Sequence, residues 1–191
     1  MHRTVDQETG ELWVFGYGSL MWRPGFAHLD RIPARLIGLH RALCVFSFVH
    51  RGTPKRPGLV LGLDRGGMCR GIAYRIAAAN RDDTINYLRS REQVTSVYIE
   101  TMRQIELEDQ TRRRVRALVF TVDRSHVQYA GRLTLAESLH YVRQGHGKSG
   151  ADRDYVLETV RALEALGYRE SDLHRLAEQL TGVHEAGTAA R

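Results

Sequence analysis

From Leu12 to Val122 the sequence is a series of short apolar runs punctuated by Gly and Pro, interrupted by one helical interval; from Thr134 onward its apolar residues recur at helical spacing. Strands bunched in one stretch and helices in another lack the alternation that a parallel, doubly wound sheet requires. The pattern therefore predicts an α+β domain with a helical C-terminal part. The strand runs are Leu12 to Tyr17, Arg41 to Phe48, Leu59 to Leu63, Cys69 to Ile76, Val97 to Glu106 and Val115 to Val122. Gly66-Gly67 reads as a hairpin turn, and Gly52-Thr53-Pro54 with Pro57-Gly58 as one loop. The interrupting helix is expected near Asn80, whose side chain can cap it, with Ile85, Leu88 and Val94 as its apolar stripe.

Thr134-Leu135-Ala136-Glu137 has capping-box spacing, in which hydroxyl and carboxylate satisfy free amides reciprocally. Val156, Val160 and Leu163 give the next helix its inward face, and Gly167 is placed to end it. Ser171 is expected to cap a last helix that turns Leu173, Leu176 and Leu180 inward, and the tail after Gly182 is expected to fray.

With 191 residues, 42% of them apolar and 26% charged, the chain suits one core, so a single catalytic domain over residues 1–191 is expected, its body at about 12–182. No apolar run approaches the ~20 residues that span a bilayer, and the polar start Met1-His2-Arg3-Thr4-Val5-Asp6 lacks a secretion signal. A cytoplasmic protein with no membrane partner follows as the expectation. Cys44 and Cys69 each lie in an apolar run and read as small core residues. The net charge of +6 is spread along the chain, and its densest cluster, Arg112-Arg113-Arg114, leads into an apolar strand. A solvated strand entrance is expected there, with no nucleic-acid partner.

Gly16-Tyr17-Gly18-Ser19-Leu20 follows the first strand directly. A dinucleotide loop would need a third small residue and a following helix, but Met21 and the breaker Arg23-Pro24-Gly25 stand there. A hydrolase elbow would need glycines two residues either side of Ser19, where Tyr17 and Met21 are found. What remains is either a plain tight turn or a strand end whose amides of Gly18, Ser19 and Leu20 face a carboxylate or an oxyanion. Farther on, Glu92 lies four residues after Leu88, on the apolar face of its helix, where a carboxylate would be partly desolvated. No histidine pair has the i,i+4 spacing of a helical zinc site, so no metal is expected.

The chain resembles the ChaC-type gamma-glutamylcyclotransferases that act on glutathione, over about Leu12 to Gly182. The resemblance rests on Trp13-Val14-Phe15-Gly16-Tyr17-Gly18-Ser19-Leu20-Met21-Trp22-Arg23-Pro24-Gly25-Phe26, His50-Arg51-Gly52-Thr53-Pro54 with Pro57-Gly58, Gly71-Ile72-Ala73-Tyr74-Arg75, Tyr87-Leu88 with Arg91-Glu92, and Asp154-Tyr155, in the family's order. It implies a small closed mixed barrel flanked by helices, a substrate site lined by Tyr17, Gly18, Ser19 and Leu20, Glu92 as the acid/base, and no cofactor. Tyr155 would either reach the site with its hydroxyl or line the core. Arg51 would either meet the glycine carboxylate of glutathione or stay solvated. The chain departs from the family where Ser96-Val97-Tyr98 replaces Gly-Gly-Tyr, Pro57-Gly58-Leu59 replaces Pro-Gly-Arg, and Asp152 stands in place of Asn.

The implied reaction is intramolecular. The γ-glutamyl α-amine attacks its own γ-carbonyl, closing 5-oxoproline and expelling cysteinylglycine. A free Glu titrates near ~4.3 and an α-amine near ~8, a gap of roughly 3.5 pH units or about 5 kcal/mol. Burial narrows that gap and a nearby arginine widens it, so the Arg91 side chain is expected to point away from Glu92.

Overall fold

The computed structural model describes residues 10–92 and 95–182. They form two compact units, one of the residues up to Phe46 with Val60–Arg132, the other of Ser47–Leu59 with the chain from Leu133 onward.

The first unit is built on strands β1 (Leu12–Gly16), β2 (Asp30–Ser47), β3 (Gly58–Ile76), β4 (Tyr98–Leu107) and β5 (Arg114–Val122). They close a barrel in the order β1-β3-β2-β4-β5. β1 is buried along its whole length because it is paired on both sides. It runs antiparallel to β3, from Leu12 opposite Ile76 to Gly16 opposite Ile72, and parallel to β5, with Trp13 opposite Ala117. The parallel pairing makes the barrel mixed, and a strand flanked on both edges can be apolar throughout, as Leu-Trp-Val-Phe-Gly is. β4 and β5 run antiparallel from Tyr98 opposite Val122 to Glu106 opposite Arg114, and β2 meets β4 at Ala34 opposite Leu107. Cys44 and Cys69 are buried core residues that form no disulfide.

Two strands are longer than the sequence pattern suggested. β2 starts at Asp30 rather than Arg41, with Pro33 near its beginning, where a missing amide is tolerated. Gly66-Gly67 is not a hairpin turn, since β3 continues through it. Both glycines have positive φ, 94° and 68°, and a Cβ on Gly67 would sit 3.3 Å from the Cβ of His40. The pair bends one long strand instead of ending it.

Helix α1 (Arg81–Glu92) is entered through a short 3-10 turn, Ala78–Asn80, so Asn80 closes that turn instead of capping the helix. Thr84 and Leu88 are buried and Ile85 is half-buried, while Val94 lies outside the described residues. Arg89 forks onto Glu100 of β4, Nε to Oε2 at 2.7 Å and Nη2 to Oε1 at 2.9 Å, which fixes the last turns of α1 against the sheet.

The second unit holds α2 (Leu135–Gln144), α3 (Asp152–Ala165) and α4 (Ser171–Thr181). The capping box at Thr134 forms as expected: the Thr134 amide donates to Glu137 Oε2 at 2.8 Å, and the Glu137 amide to Thr134 Oγ1 at 3.3 Å. Gly167, at φ 73°, ends α3, with its amide on Glu164 O and that of Tyr168 on Leu163 O, both 2.9 Å. Ser171 is the first residue of α4 and Glu170 its cap position; Leu173 and Leu176 are buried, Leu180 half-buried. The tail beyond Gly182 lies outside the described residues. Among the described residues no helix is long and apolar enough to cross a membrane.

Candidate active site

Past Gly16 the chain leaves the barrel in a 3-10 turn, Ser19–Met21, closed by the Met21 amide on Gly18 O at 2.9 Å and the Arg23 amide on Ser19 O at 2.8 Å. The carbonyls around this turn are occupied. Arg41 Nε donates to Tyr17 O at 2.5 Å, the Tyr74 hydroxyl to Leu20 O at 2.8 Å, and Arg31 Nη2 to Met21 O at 3.2 Å. The amides of Ser19 and Leu20, at the start of a helical turn, have no carbonyl behind them within the turn. A turn whose acceptors are filled and whose own bonding leaves its first donors over suits an anionic oxygen. The side chains of Tyr17 and Leu20 are buried, so backbone is what those two positions present, whereas Gly18 and Ser19 are partly exposed.

Glu92 is the last residue of α1, one turn beyond the fully buried Leu88. Its side chain keeps 20% of its surface exposed, a carboxylate hemmed in by protein yet within reach of a small molecule. Burial pushes its pKa above the ordinary carboxylate range, and the charge of Arg91 pulls the other way.

Arg91 does not point away from Glu92, which corrects the sequence expectation. Its Nε lies 3.3 Å from Glu92 Oε1, while its other nitrogens reach the turn. Nη2 donates to Ser19 Oγ at 2.8 Å, and Nη1 to Arg23 O at 2.6 Å and to the Tyr87 hydroxyl at 2.9 Å. One guanidinium therefore touches both the acidic side chain and the turn after β1. Ser19, with its hydroxyl accepting from a cation and, among the described residues, no base beside it, is not arranged as a nucleophile. Around this centre Phe26 packs edge-on against Tyr74 and Tyr87, ring centroids 5.4 and 6.2 Å apart. Gly25, at φ 76°, passes so close to the Tyr87 hydroxyl that a Cβ there would collide with it.

Tyr155 belongs to the second unit. It is buried in α3, with the Arg51 guanidinium carbon 5.3 Å from its ring centroid, and Arg51 Nη1 donates to Ala151 O at 3.0 Å. Beside it Asp152 is fully buried; its Oδ2 accepts from the Leu59 amide at 2.5 Å, and its Oδ1 has no hydrogen-bond partner. Burial raises the Asp152 pKa to about 8, against the lowering effects of the Leu59 amide and Arg51.

Sequence reasoning missed Arg41, Tyr74 and Arg91 as parts of the site. For Arg91 a signal existed, since Tyr87 and Arg91 are four residues apart on one helix and their side chains were bound to meet. Arg41 carried none, and Tyr74, though part of the Gly71-Ile72-Ala73-Tyr74-Arg75 motif, gave no sign of its role, because both act on carbonyls far away in sequence.

The sequence model of the family described as ChaC-like protein matches residues 12–186. The glutathione-specific gamma-glutamylcyclotransferase of Escherichia coli is 32% identical over 169 residues, covering 88% of this chain and 72% of that protein. The enzyme of the same description from Schizosaccharomyces pombe is 30% identical over 195 residues, covering 90% and 92%. A crystal structure of the yeast gamma-glutamyl cyclotransferase specific to glutathione superposes with a TM-score of 0.83 at 22% identity, covering 94% of this chain and 99% of that one. At that identity the likeness establishes the fold, and it is the small barrel with C-terminal helices anticipated above.

Proposed function

The chain belongs to the ChaC-like family, and from that premise we propose that it is a gamma-glutamylcyclotransferase that cleaves glutathione to 5-oxoproline and cysteinylglycine. Glu92 is the general acid/base. The observation that carries this reading is a half-hidden carboxylate joined through one guanidinium to the 3-10 turn that follows β1.

Both reacting groups belong to the substrate, so the protein has to hold a folded conformer, move protons and stabilise negative charge. Glu92 takes a proton from the α-ammonium. The freed amine attacks the γ-carbonyl carbon, and the amides of Ser19 and Leu20 receive either the developing oxyanion or the substrate's α-carboxylate. As the bond to the cysteinyl nitrogen breaks, Glu92 passes that proton to the departing nitrogen, and the second proton shed by the ring nitrogen follows it, so that cysteinylglycine leaves as an ammonium and 5-oxoproline as the neutral lactam. Water is not consumed, and no electron changes hands. The raised pKa of Glu92 narrows the uphill gap to the ammonium.

Tyr155 enters as a substrate contact on the strength of the Asp154-Tyr155 motif within the matched range and its setting under Arg51. Because that range runs through both compact units, residues 12–182 are read as one catalytic domain. A cytoplasmic site of action accords with two buried thiols that are not joined in a disulfide. The partner is a small molecule, neither nucleic acid nor membrane.

Incubation of the purified protein with reduced glutathione should release cysteinylglycine and 5-oxoproline in equal amounts. Glu92→Gln should lower turnover by about 100-fold or more with the circular dichroism spectrum unchanged. Inert parent protein, or an unaffected variant, would reject the reading. One observation favours a second substrate: Leu59, where the family has Arg, is fully buried, so that position offers no cation to a leaving group. Faster 5-oxoproline release from γ-glutamyl-alanine than from glutathione would select it.

A further inference from the structure

Five contacts converge on the Arg91 side chain, and they sort by nitrogen. Nη1 and Nη2 hold Arg23 O, Pro24 O, the Tyr87 hydroxyl and Ser19 Oγ, all on the turn or on α1 itself. Nε faces Glu92 Oε1. A guanidinium is planar and rigid, so fixing its two outer nitrogens fixes the direction of the third. We propose that Arg91 is a positioning residue: its fork sets the turn at Ser19 and Leu20 against the Glu92 carboxylate, and its Nε places a cation beside that carboxylate. This rests on the cyclotransferase reading for its catalytic consequence, but not for its structural one.

The two halves of the role are separable because they depend on different properties of the side chain. Holding the turn requires the fork; restraining Glu92 requires only a nearby cation. Among the described groups Arg91 is the charge that acts on Glu92. From β3 the Tyr74 hydroxyl feels Arg91 and Arg31, yet burial keeps it protonated. Arg41 on β2 is spent on Tyr17 O and Arg70 O, so it belongs to the scaffold of the turn. Replacing the fork by a single ammonium should loosen the turn and leave the titration of Glu92 nearly in place. Removing the cation should do both, and in a known direction: without the lowering influence, the carboxylate holds its proton to higher pH.

The test compares Arg91→Lys, Arg91→Met, Ser19→Ala and the double variant Arg91→Met/Ser19→Ala with the parent protein. Carbon-13 NMR of the Glu92 carboxyl, assigned through Glu92→Gln, follows its titration without substrate. An upward shift in Arg91→Met and little movement in Arg91→Lys are expected. In the glutathione assay both Arg91 variants should lose on the order of tenfold to a hundredfold in kcat/KM, through misplacement of the turn. Only Arg91→Met should move the acidic limb of the pH profile upward. Ser19→Ala should weaken the parent but add little to Arg91→Met, because the two act through one hydrogen bond. A Glu92 titration unmoved in folded Arg91→Met, or additive effects of the Ser19 and Arg91 changes, overturns the proposal. If the parent turns over no glutathione while the NMR shift appears as expected, the proposed reaction fails and the positioning role stands.

Discussion

A glutamate next to an arginine in sequence is ordinarily a surface pair worth under about 1 kcal/mol, and Glu92 departs from that because Leu88 one turn earlier is fully buried and carries the helix end inward. The i,i+4 spacing made this much legible from sequence. The direction of Arg91 was not, since an arginine goes where its acceptors are, and Ser19 Oγ lies 72 positions away along the chain. The consequence for pH dependence has a definite sign. Glu92 must be ionised to accept the ammonium proton, and its raised pKa means that the ionised form is lost on acidification sooner than for a free glutamate. kcat/KM should therefore fall on an acidic limb displaced upward from the ordinary carboxylate range. A profile whose acidic limb stays within that ordinary range would show that the carboxylate is not perturbed during turnover.

Among the secondary elements, two local signals were read well and two were not: Asn80 closes the turn before α1, and Glu170, not Ser171, holds the cap position of α4. The Thr134 capping box and the Gly167 stop depend on partners three to five residues away, and both appear as anticipated. Gly66-Gly67 was misread because a glycine pair marks a turn locally, whereas here β2 runs alongside and demands a bend within a continuing strand. Helix α3 carries the clearest stability prediction. Asp152 at its first position has a folded pKa of about 8, above its unfolded value, so the native state binds the proton more tightly. Its contribution is fully present below the unfolded pKa of ~3.9 and is lost as pH rises toward 8. At neutral pH the neutral acid serves in place of the asparagine usual in the family. Asp152→Asn should thus melt near the parent temperature at pH 5 and several degrees above it at pH 8.5, on the order of a few kcal/mol. Equal destabilisation at both pH values would indicate an ionised aspartate paired with Arg51.

For the molecule as a whole, the segregation of strands and helices made the α+β class legible, but barrel closure was not. Closure depends on Trp13 of β1 finding Ala117 of β5 in parallel, a register that no local pattern encodes; the expectation of a closed barrel came from the family resemblance alone. The charge distribution was read correctly as solvated. Arg112 and Arg114 lean on Glu106, 3.7 and 3.9 Å away, where Arg35 is also bound at 2.8 Å, so the basic run is partly neutralised by its own sheet. Duplex DNA should accordingly show no retention by the protein at 150 mM salt; tight binding falling steeply with ionic strength would refute this. Strands as long as β3 would, in an open sheet, present rows of unpaired backbone groups on which neighbouring copies nucleate fibrils. Curling the sheet onto itself removes those rows, leaving the folded protein little template for edge-to-edge growth even when concentrated.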